Sequence, residues 1–171
     1  ANIRKHGLAV WGTMVFGNDA DTPETFKQVA DFVLDSHVDI MTCGILCPFI
    51  NTPLYHRLNG DGRLFRTNFP EDWKYYTSHH LTYVLKNMSL QELIDGFQYL
   101  YDRIYATEGL RKRFQNAKEV LKANMNAAMF AFRVNLDWQS VYQHLIQHLK
   151  ELQTSGFYDE ALKRFNQSKR A

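Results

Sequence analysis

The densest group of side chains able to bind a small molecule lies in one short stretch of the sequence. It contains three aromatic residues followed by two adjacent histidines: Trp73, Tyr75, Tyr76, His79 and His80. Aromatic rings combine a large apolar face with a polar edge and can stack on a planar ligand. We therefore predict that Trp73, Tyr76 and His80 face a substrate, including a planar macrocycle. The alternative is that the group only packs beneath a long loop.

A second candidate site follows a short apolar run that ends in a glycine. Gly12 and Gly17 lie within and after this run, where glycine permits close approach of a ligand to the backbone. Asp19 and Asp21 follow, and acidic side chains at the carboxyl end of a barrel strand can orient a ligand. The alternative is that the glycines serve packing and a turn, while one acid caps the next helix.

The remaining candidates do not form a metal or catalytic site that the sequence alone supports. Cys43 and Cys47 have Cys-x3-Cys spacing without a third cysteine, and we predict that Cys43 is a core residue. His144 and His148, four residues apart on a helix, make half a metal site with no ligand placed to complete it. The basic run at residues 111–113 is predicted to be a solvated face, with phosphate contact as the alternative.

The elements that must position these residues begin with a strand, a helix and a second strand. Residues 8–16 are apolar and rich in β-formers, which predicts a buried strand, and residues 38–46 predict another. Between them, residues 23–36 have helical spacing behind Pro23, with Asp21 or Thr22 as N-cap and Glu24 completing a capping box. This order predicts a parallel βαβ unit with a right-handed crossover.

The rest of the chain is predicted to be irregular and then helical. Residues 52–58 predict a short helix and residues 79–85 an extended segment, whereas Ser89 and Glu92 form the capping box of a helix that Gly109 breaks. Further helices are predicted at residues 110–121 and 127–134, from an Asp137 cap to Gly156, and at 158–166. We divide the chain into three parts: the strands of a partial barrel at residues 1–48, an irregular connecting segment at 49–88 and a helical C-terminal domain at 89–171.

Two parallel strands alone are too few for a stable sheet. Parallel sheets are normally covered on both faces and contain more strands, and an isolated βαβ unit leaves two edges open. We therefore expect strands that precede Leu8 to be missing from this chain. The alternatives are that the C-terminal helices or a second copy cover the edges, and open edges predict self-association.

Composition excludes several partners and favours one compartment. The chain of 171 residues has 20 basic and 18 acidic residues, so no strong basic field supports binding to nucleic acid. No apolar run approaches the ~20 residues of a membrane helix. Two cysteines make no disulfide framework, which favours a reducing, cytoplasmic location.

Three groups of motifs resemble one enzyme family. They are GLAVWGTMVFG at residues 7–17 with the acidic turn after it, ILCP at 45–48 with TPLY at 52–55 and GRL at 62–64, and DW at 72–73 with NMS at 87–89. In this order they resemble the cobalamin-binding branch of the radical S-adenosylmethionine enzymes. Residues 49–51 and Asp61 depart from the family pattern, which has Pro-Gly and Glu at these places.

The resemblance implies a fold class of α/β to mainly α, with the last strands of an incomplete (β/α) barrel followed by a helical C-terminal extension. The parent enzyme would use a four-iron four-sulfur cluster, S-adenosylmethionine and cobalamin, with Gly12, Gly17, Asp19 and Asp21 on the S-adenosylmethionine side. The family's Cys-x3-Cys-x2-Cys loop and cobalamin domain are absent from these 171 residues. This segment is therefore expected to bind no cofactor alone and to be inactive without its N-terminal partner.

The family carries out several reactions, including those of proteins named magnesium-protoporphyrin monomethyl ester cyclases and of methyltransferases, so the small-molecule substrate stays open. A second hypothesis is a stand-alone, mostly helical interaction module that binds a partner through an apolar groove. The βαβ unit favours the enzyme segment, because a helical binding module has no need of it.

Overall fold

The computed structural model describes residue 3 and residues 6–120 and 125–169. These residues form two compact units. Unit 1 contains the described residues up to Met14, then Thr22–Cys43 and Asp95–His144. Unit 2 contains Val15–Asp21, Gly44–Ile94 and the described residues from Leu145 onward.

The described residues are mostly helical and include one small parallel sheet, in agreement with the predicted fold class. No described helix is both long and apolar enough to cross a membrane. The elements in chain order are β1 (Trp11–Phe16), α1 (Pro23–Asp35), β2 (Ile40–Ile45), α2 (Pro53–Gly60), a 3₁₀ turn (Glu71–Tyr75), α3 (Leu90–Leu100), a π-helical turn (Tyr101–Tyr105), α4 (Thr107–Val120), α5 (Met125–Thr154) and α6 (Phe157–Ser168).

The predicted βαβ unit is present, with β1 and β2 paired in parallel. The prediction that the first strand is buried is wrong for most of β1. Every residue of β2 is buried, whereas Trp11 and Val15 of β1 are 51% and 46% exposed. Alternate residues of a strand face opposite sides, so one face of β1 has no cover among the described residues.

The outer edge of β2 is covered by side chains rather than by another strand. The N–H of Met41 donates to Asn135 Oδ1 over 3.4 Å, and the N–H of Cys43 donates to the Tyr142 hydroxyl. Residues two apart in a strand present their backbone groups to the same side, so both donors belong to this edge. The prediction of two open edges is therefore wrong for β2.

The carbonyl groups on the same edge of β2, and just before the strand, are also occupied. Asp39 O accepts hydrogen bonds from Asn135 Nδ2 over 2.8 Å and from Arg113 Nη2 over 3.0 Å, and Met41 O accepts one from the Tyr105 hydroxyl. Buried backbone groups are costly when unpaired. These side chains from the π-helical turn, α4 and α5 therefore finish the sheet on this side.

The N-terminus of α1 is capped as predicted, except that one predicted capping residue is replaced by another. Thr22 is the N-cap, and Thr25 Oγ1 accepts the Thr22 N–H over 3.0 Å, so Thr25 takes the place expected of Glu24. Asp21 Oδ2 instead accepts the N–H groups of Gly17 and Asn18, each over 2.9 Å. Asp21 therefore closes the turn after β1 rather than capping the helix.

Two helix boundaries differ from the prediction. The predicted break at Gly109 is wrong, because α4 begins at Thr107 and runs through this residue. A Cβ at Gly109 would lie 2.6 Å from the carbonyl oxygen of Arg103, so glycine permits close approach of the preceding turn. The Asp137 cap is also wrong: α5 continues through it as a helix of 30 residues.

A short antiparallel ladder organises unit 2. Leu64 and Tyr83 form an isolated bridge, and the flanking backbone bonds join Phe65 N–H to Thr82 O over 3.1 Å and Val84 N–H to Arg63 O over 2.8 Å. The ring of Phe65 lies edge-on to those of Phe157 and Tyr158, both at 5.8 Å between centroids. The extended segment predicted at residues 79–85 is therefore present only as this bridge.

Candidate functional site

A cavity of about 340 Å³ in unit 2 gathers most of the side chains that can recognise a ligand. We call it the histidine pocket. Its wall combines three imidazoles with aromatic, cationic, carboxylate and apolar groups: Arg66, Tyr75, His79, His80, Leu81, His148, Leu149, Glu151, Leu152 and Ser155.

The antiparallel ladder and the 3₁₀ turn bring these residues together. Arg66 directly follows one strand of the ladder and Leu81 directly precedes the other, so both emerge at the same end. The hydroxyl of Tyr76 donates to the Arg66 carbonyl over 2.6 Å and fixes the backbone there. Tyr75 ends the 3₁₀ turn and thereby places its ring next to the histidines.

Two of the imidazoles stack in the wall of the pocket. The rings of His80 and His148 lie 4.5 Å apart between centroids with an interplanar angle of 24°, and Tyr75 meets His80 edge-on at 5.5 Å. Thr77 Oγ1 and His80 Nδ1 share a hydrogen bond of 2.8 Å. His148 Nδ1 is buried and has no hydrogen-bond partner among the described residues. A ligand in the pocket could therefore meet the parts of these rings that the stacking leaves uncovered.

Arg66 contributes a positive charge that is held flat between two rings. Its guanidinium carbon lies 4.0 Å from the ring centroid of Tyr75 and 4.3 Å from that of Phe157. Its nearest carboxylate, Asp72, is 3.8 Å away, which is longer than a hydrogen bond. Such cation–π contacts orient the guanidinium while its edge stays able to bind an acidic group.

The neutral form of His79 and of His80 is favoured by their surroundings. Burial lowers the pKa of His80 to about 4, with further contributions from His148, His79 and Arg66. Burial, followed by the effect of His148, also lowers the pKa of His79. A catalytic base works best with a pKa near the working pH, so His80 is suited to binding rather than to proton transfer at neutral pH.

The pH dependence of stability tests this arrangement. Unfolded His80 takes up a proton below about pH 6.5 and folded His80 only near pH 4, so stability falls as pH falls through this window. After allowance for solvent screening, we expect a loss of about 1–2 kcal/mol between about pH 7 and pH 5. Urea unfolding at the two pH values measures it.

Removal of His148 is expected to weaken that dependence, because the electrostatic effect of His148 is one of the causes of the lowered pKa of His80. His148→Gln tests this, and His144→Gln, an exposed histidine one turn away on α5, is the matched control. An equal change of slope in both variants would show that His80 and His148 are not coupled.

The structure separates the three predicted substrate-side residues. His80 lines the pocket, whereas Tyr76 is buried behind it and Trp73 is 59% exposed, with its ring 6.3 Å from that of Phe69. Sequence reasoning did not assign Arg66 or Glu151 to a site and considered His148 only as a metal ligand. No local sequence signal predicted the contact of His148 with His80.

The second candidate site is the turn at the carboxyl end of β1, also in unit 2. Gly17 has a φ of 96°, which favours glycine, and its carbonyl accepts a hydrogen bond of 2.8 Å from Tyr83. A Cβ on Gly17 would lie 2.5 Å from that hydroxyl. For Gly12, in unit 1, a Cβ would lie 3.2 Å from Val38. Packing thus accounts for both glycines, and their cofactor role stays a prediction.

Asp19 is bound by two arginines in this turn. Its carboxylate lies 3.0 Å from Arg57 Nη1 and 2.7 Å from Nη1 of Arg63, a residue that is 4% exposed. Burial alone would raise the pKa of Asp19, but the hydrogen bond and charge of Arg63, with Arg57 and Lys86, outweigh it and lower the pKa. Asp19 also lines a cavity of about 510 Å³. Its cofactor role, like that of Asp21, stays a prediction.

Asp19→Asn is expected to lower the free energy of unfolding by about 1–2 kcal/mol, because it leaves the buried Arg63 cation without its carboxylate. Urea unfolding near neutral pH measures the loss. Asp61→Asn is the control, since Asp61 lines the same cavity but is exposed. An equally small effect in both variants would contradict a structural role for the ion pair of Asp19 with Arg63.

Both cysteines of this chain are free thiols. Burial raises the pKa of Cys43 to about 12 and that of Cys47 to about 11, so both are protonated at neutral pH. Within residues 6–120 and 125–169, no group of three or more His, Cys, Asp or Glu residues is placed to hold a metal ion.

The chain belongs to the DUF4070 family, a domain of unknown function, and the match covers residues 52–160. This domain occurs in cobalamin-binding radical S-adenosylmethionine proteins, so the resemblance drawn from the sequence motifs is confirmed. Every residue that lines the histidine pocket falls within the matched range.

Two curated relatives are methylating enzymes by name. The chain is 27% identical over 115 residues to bacteriochlorophyllide d C-12(1)-methyltransferase of Chlorobaculum tepidum, a match that covers 67% of the chain and 24% of that enzyme. It is 27% identical over 144 residues to hopanoid C-2 methylase of Rhodopseudomonas palustris, covering 80% of the chain and 27% of that enzyme. The chain thus spans about a quarter of the length of the curated relatives it matches. No solved structure matches it.

Proposed function

We propose that this chain is the C-terminal part of a radical S-adenosylmethionine enzyme of the cobalamin-binding branch that methylates a small molecule. The observation that carries the proposal is the pair of relatives, both named for methyl transfer and both about four times as long as their matched part. An oxidative cyclisation on the same scaffold is the other reaction that the sequence motifs leave open.

The uncovered edge and face of β1 support the N-terminal part of the parent protein as a partner of this chain. Within the described residues the sheet has two strands, so the outer edge of β1 has no neighbouring strand. Trp11 and Val15 on its exposed face would be covered if further strands and their connections were added. We infer that these strands come from the rest of the parent and that β1 and β2 form part of a barrel wall.

The unpaired outer edge of β1 leads us to expect self-association of the isolated chain. An uncovered strand presents backbone donors and acceptors in a row, which a second copy can pair with. Sedimentation velocity across a wide range of concentrations should show a growing dimer population. A monomeric profile throughout would count against an open edge.

The cofactors divide between this chain and the rest of the parent. When bound, the cluster, S-adenosylmethionine and cobalamin would supply the one-electron and methyl-transfer chemistry, while the protein supplies position and electrostatics. We assign Gly17, Asp19 and Asp21 to the S-adenosylmethionine side, because their turn lies at the carboxyl end of β1, where barrel sites form. For Gly12, which lies within β1, the same assignment rests on the family resemblance alone. The cluster would be held by residues outside this chain, which is therefore inactive alone.

The histidine pocket is the best candidate for contact with the substrate. It offers stacked imidazoles, an aromatic ring and an oriented guanidinium beside leucine side chains, which suits a largely apolar molecule with a planar or acidic part. Of the predicted substrate-side residues, His80 belongs to this wall, and Tyr76 supports it through the Arg66 backbone. A contact from the exposed Trp73 would need the substrate to extend beyond the pocket.

The experiment that tests the proposal uses the intact parent protein, reconstituted anaerobically with iron, sulfide and cobalamin. Incubation with S-adenosylmethionine and a reductant should yield both 5′-deoxyadenosine and S-adenosylhomocysteine, and omission of cobalamin should abolish the second product. Absence of a cluster absorbance and of both products in a folded parent would remove the enzyme assignment.

A second candidate, a helical interaction module, is favoured by one observation. The first half of α5 exposes Met125, Met129, Phe130 and Leu136, an apolar set on a helix surface in unit 1. Such a surface is typical of a protein-binding face. If the gene encodes no residues before this chain, the interaction module becomes the better explanation; a Cys-x3-Cys-x2-Cys motif upstream would exclude it.

A further inference from the structure

A cavity of about 190 Å³ in unit 1 has three cationic side chains in its wall. We call it the basic cavity. Its wall contains two arginines, a lysine, a histidine and an asparagine with two apolar residues, and no acidic residue: Leu34, His37, Val38, Arg103, Lys112, Arg113 and Asn116. It lies where α1 ends and β2 is about to begin.

Arg113 is the buried cation of this wall, with 4% of its surface exposed. Its Nε donates to Val38 O over 3.3 Å and its Nη2 donates to Asp39 O over 3.0 Å. The remaining nitrogen, Nη1, is buried without a hydrogen-bond partner among the described residues. Because Nη1 is closed to solvent, Arg113 would act on an anion in the cavity through its charge and not through a hydrogen bond from this atom.

The nearby carboxylates are engaged elsewhere or only loosely bound. Asp39 contributes a favourable charge to Arg113, but its Oδ2 accepts the Val10 N–H over 2.8 Å. Asp31 lies 3.3 Å from Arg103 Nη2, and both side chains are nearly half exposed, so this pair is screened by solvent. The cavity therefore keeps an excess of positive charge.

The rim of the cavity adds further groups able to bind an anion. Lys112 lies one residue before Arg113 on α4, and Asn116 shares a hydrogen bond of 3.2 Å with His37. Arg111, the preceding residue, is instead paired with Glu108 over 2.9 Å and does not line the cavity. Of the basic run at residues 111–113, only the last two therefore face the same space.

We propose that the basic cavity binds a phosphate group, either as inorganic phosphate or as a phosphate monoester. Three cations around a small cavity match the charge of a phosphate, and the planar fork of a guanidinium matches its oxygen atoms. The volume accommodates a phosphate with a short organic substituent. This assignment is independent of the proposed methylation.

Isothermal titration of the chain with inorganic phosphate, at constant ionic strength set with sodium chloride, tests the proposal. We expect saturable binding, and we expect Lys112→Gln and Arg103→Gln each to weaken it about tenfold through loss of one charge-assisted contact. Arg111→Gln is the matched control, because it removes a neighbouring exposed charge outside the cavity and should change affinity less than about twofold.

Glycerol 3-phosphate distinguishes the two forms of the ligand: tighter binding than that of inorganic phosphate identifies a monoester, and weaker binding identifies the free ion. No saturable binding of either probe to the folded chain would overturn the proposal. Equal weakening in Arg111→Gln and Lys112→Gln would also overturn it, because it would show a diffuse charge effect rather than a site.

Discussion

Asn135→Ala is expected to lower the free energy of unfolding by about 2–3 kcal/mol. The change removes the acceptor of the Met41 N–H and a donor to Asp39 O, both on the buried outer edge of β2. An orphaned buried backbone donor costs about 1–3 kcal/mol, and the small cavity adds to this. The better helix propensity of alanine recovers only a few tenths of a kcal/mol. Urea unfolding followed by circular dichroism measures the balance.

Asn126→Ala is the matched control for this prediction. It makes the same chemical change on the same helix at an exposed position, so we expect an effect within about 0.5 kcal/mol. If Asn135→Ala were as mild as Asn126→Ala, the edge of β2 would not depend on α5, and the account of how the sheet is finished would be wrong.

Gly96→Ala is expected to destabilise the chain by about 2–3 kcal/mol although alanine is the better helix former. A Cβ at Gly96 would lie 2.4–2.5 Å from ring atoms of Phe26, which is 1% exposed. That ring already meets Phe97 edge-on at 5.4 Å, so it has little room to move. Overpacking of this kind costs about 1–3 kcal/mol or more and outweighs the ~1 kcal/mol gain in propensity.

Gly60→Ala provides the opposite expectation. No atom lies within 4 Å of a Cβ built there, at the end of α2, so the substitution should stabilise by about 0.5 kcal/mol.

The double variant Phe26→Leu with Gly96→Ala should lose less stability than the sum of the losses in the two single variants, because the smaller side chain relieves the contact. Additive losses would show that Gly96 is not constrained by Phe26.

Local signals in the sequence predicted local structure well. Ser89 and Glu92 form the expected capping box, with reciprocal hydrogen bonds of 2.7 and 3.2 Å, and Gly156 ends α5 in the left-handed conformation. These features depend on neighbours a few residues away. The prediction at Gly109 is wrong for the same reason. A glycine in a helical pattern indicates a break when only its neighbours are considered, whereas this glycine permits close approach of the helix to the turn before it.

Features made by distant residues could not be predicted in this way. The pairing of β1 with β2 follows from general rules for βαβ units, but the covering of β2 by Asn135 and Tyr142 joins residues far apart in the chain. The histidine pocket likewise depends on contact between His80 and His148. Periodicity indicates that a helix has a buried face, not which residues it meets, so His80 could be proposed but its partner could not.

Because side chains cover the outer edge of β2, the sheet can be extended in one direction only. Because helix side chains occupy its outward donors and acceptors, hydrogen-bonded growth can continue only past β1, and any larger sheet that includes this pair must have β2 as its terminal strand. A ring of strands built in this way cannot close on itself through β2. Its border at that strand would be formed by tyrosine, asparagine and arginine side chains instead of a backbone ladder.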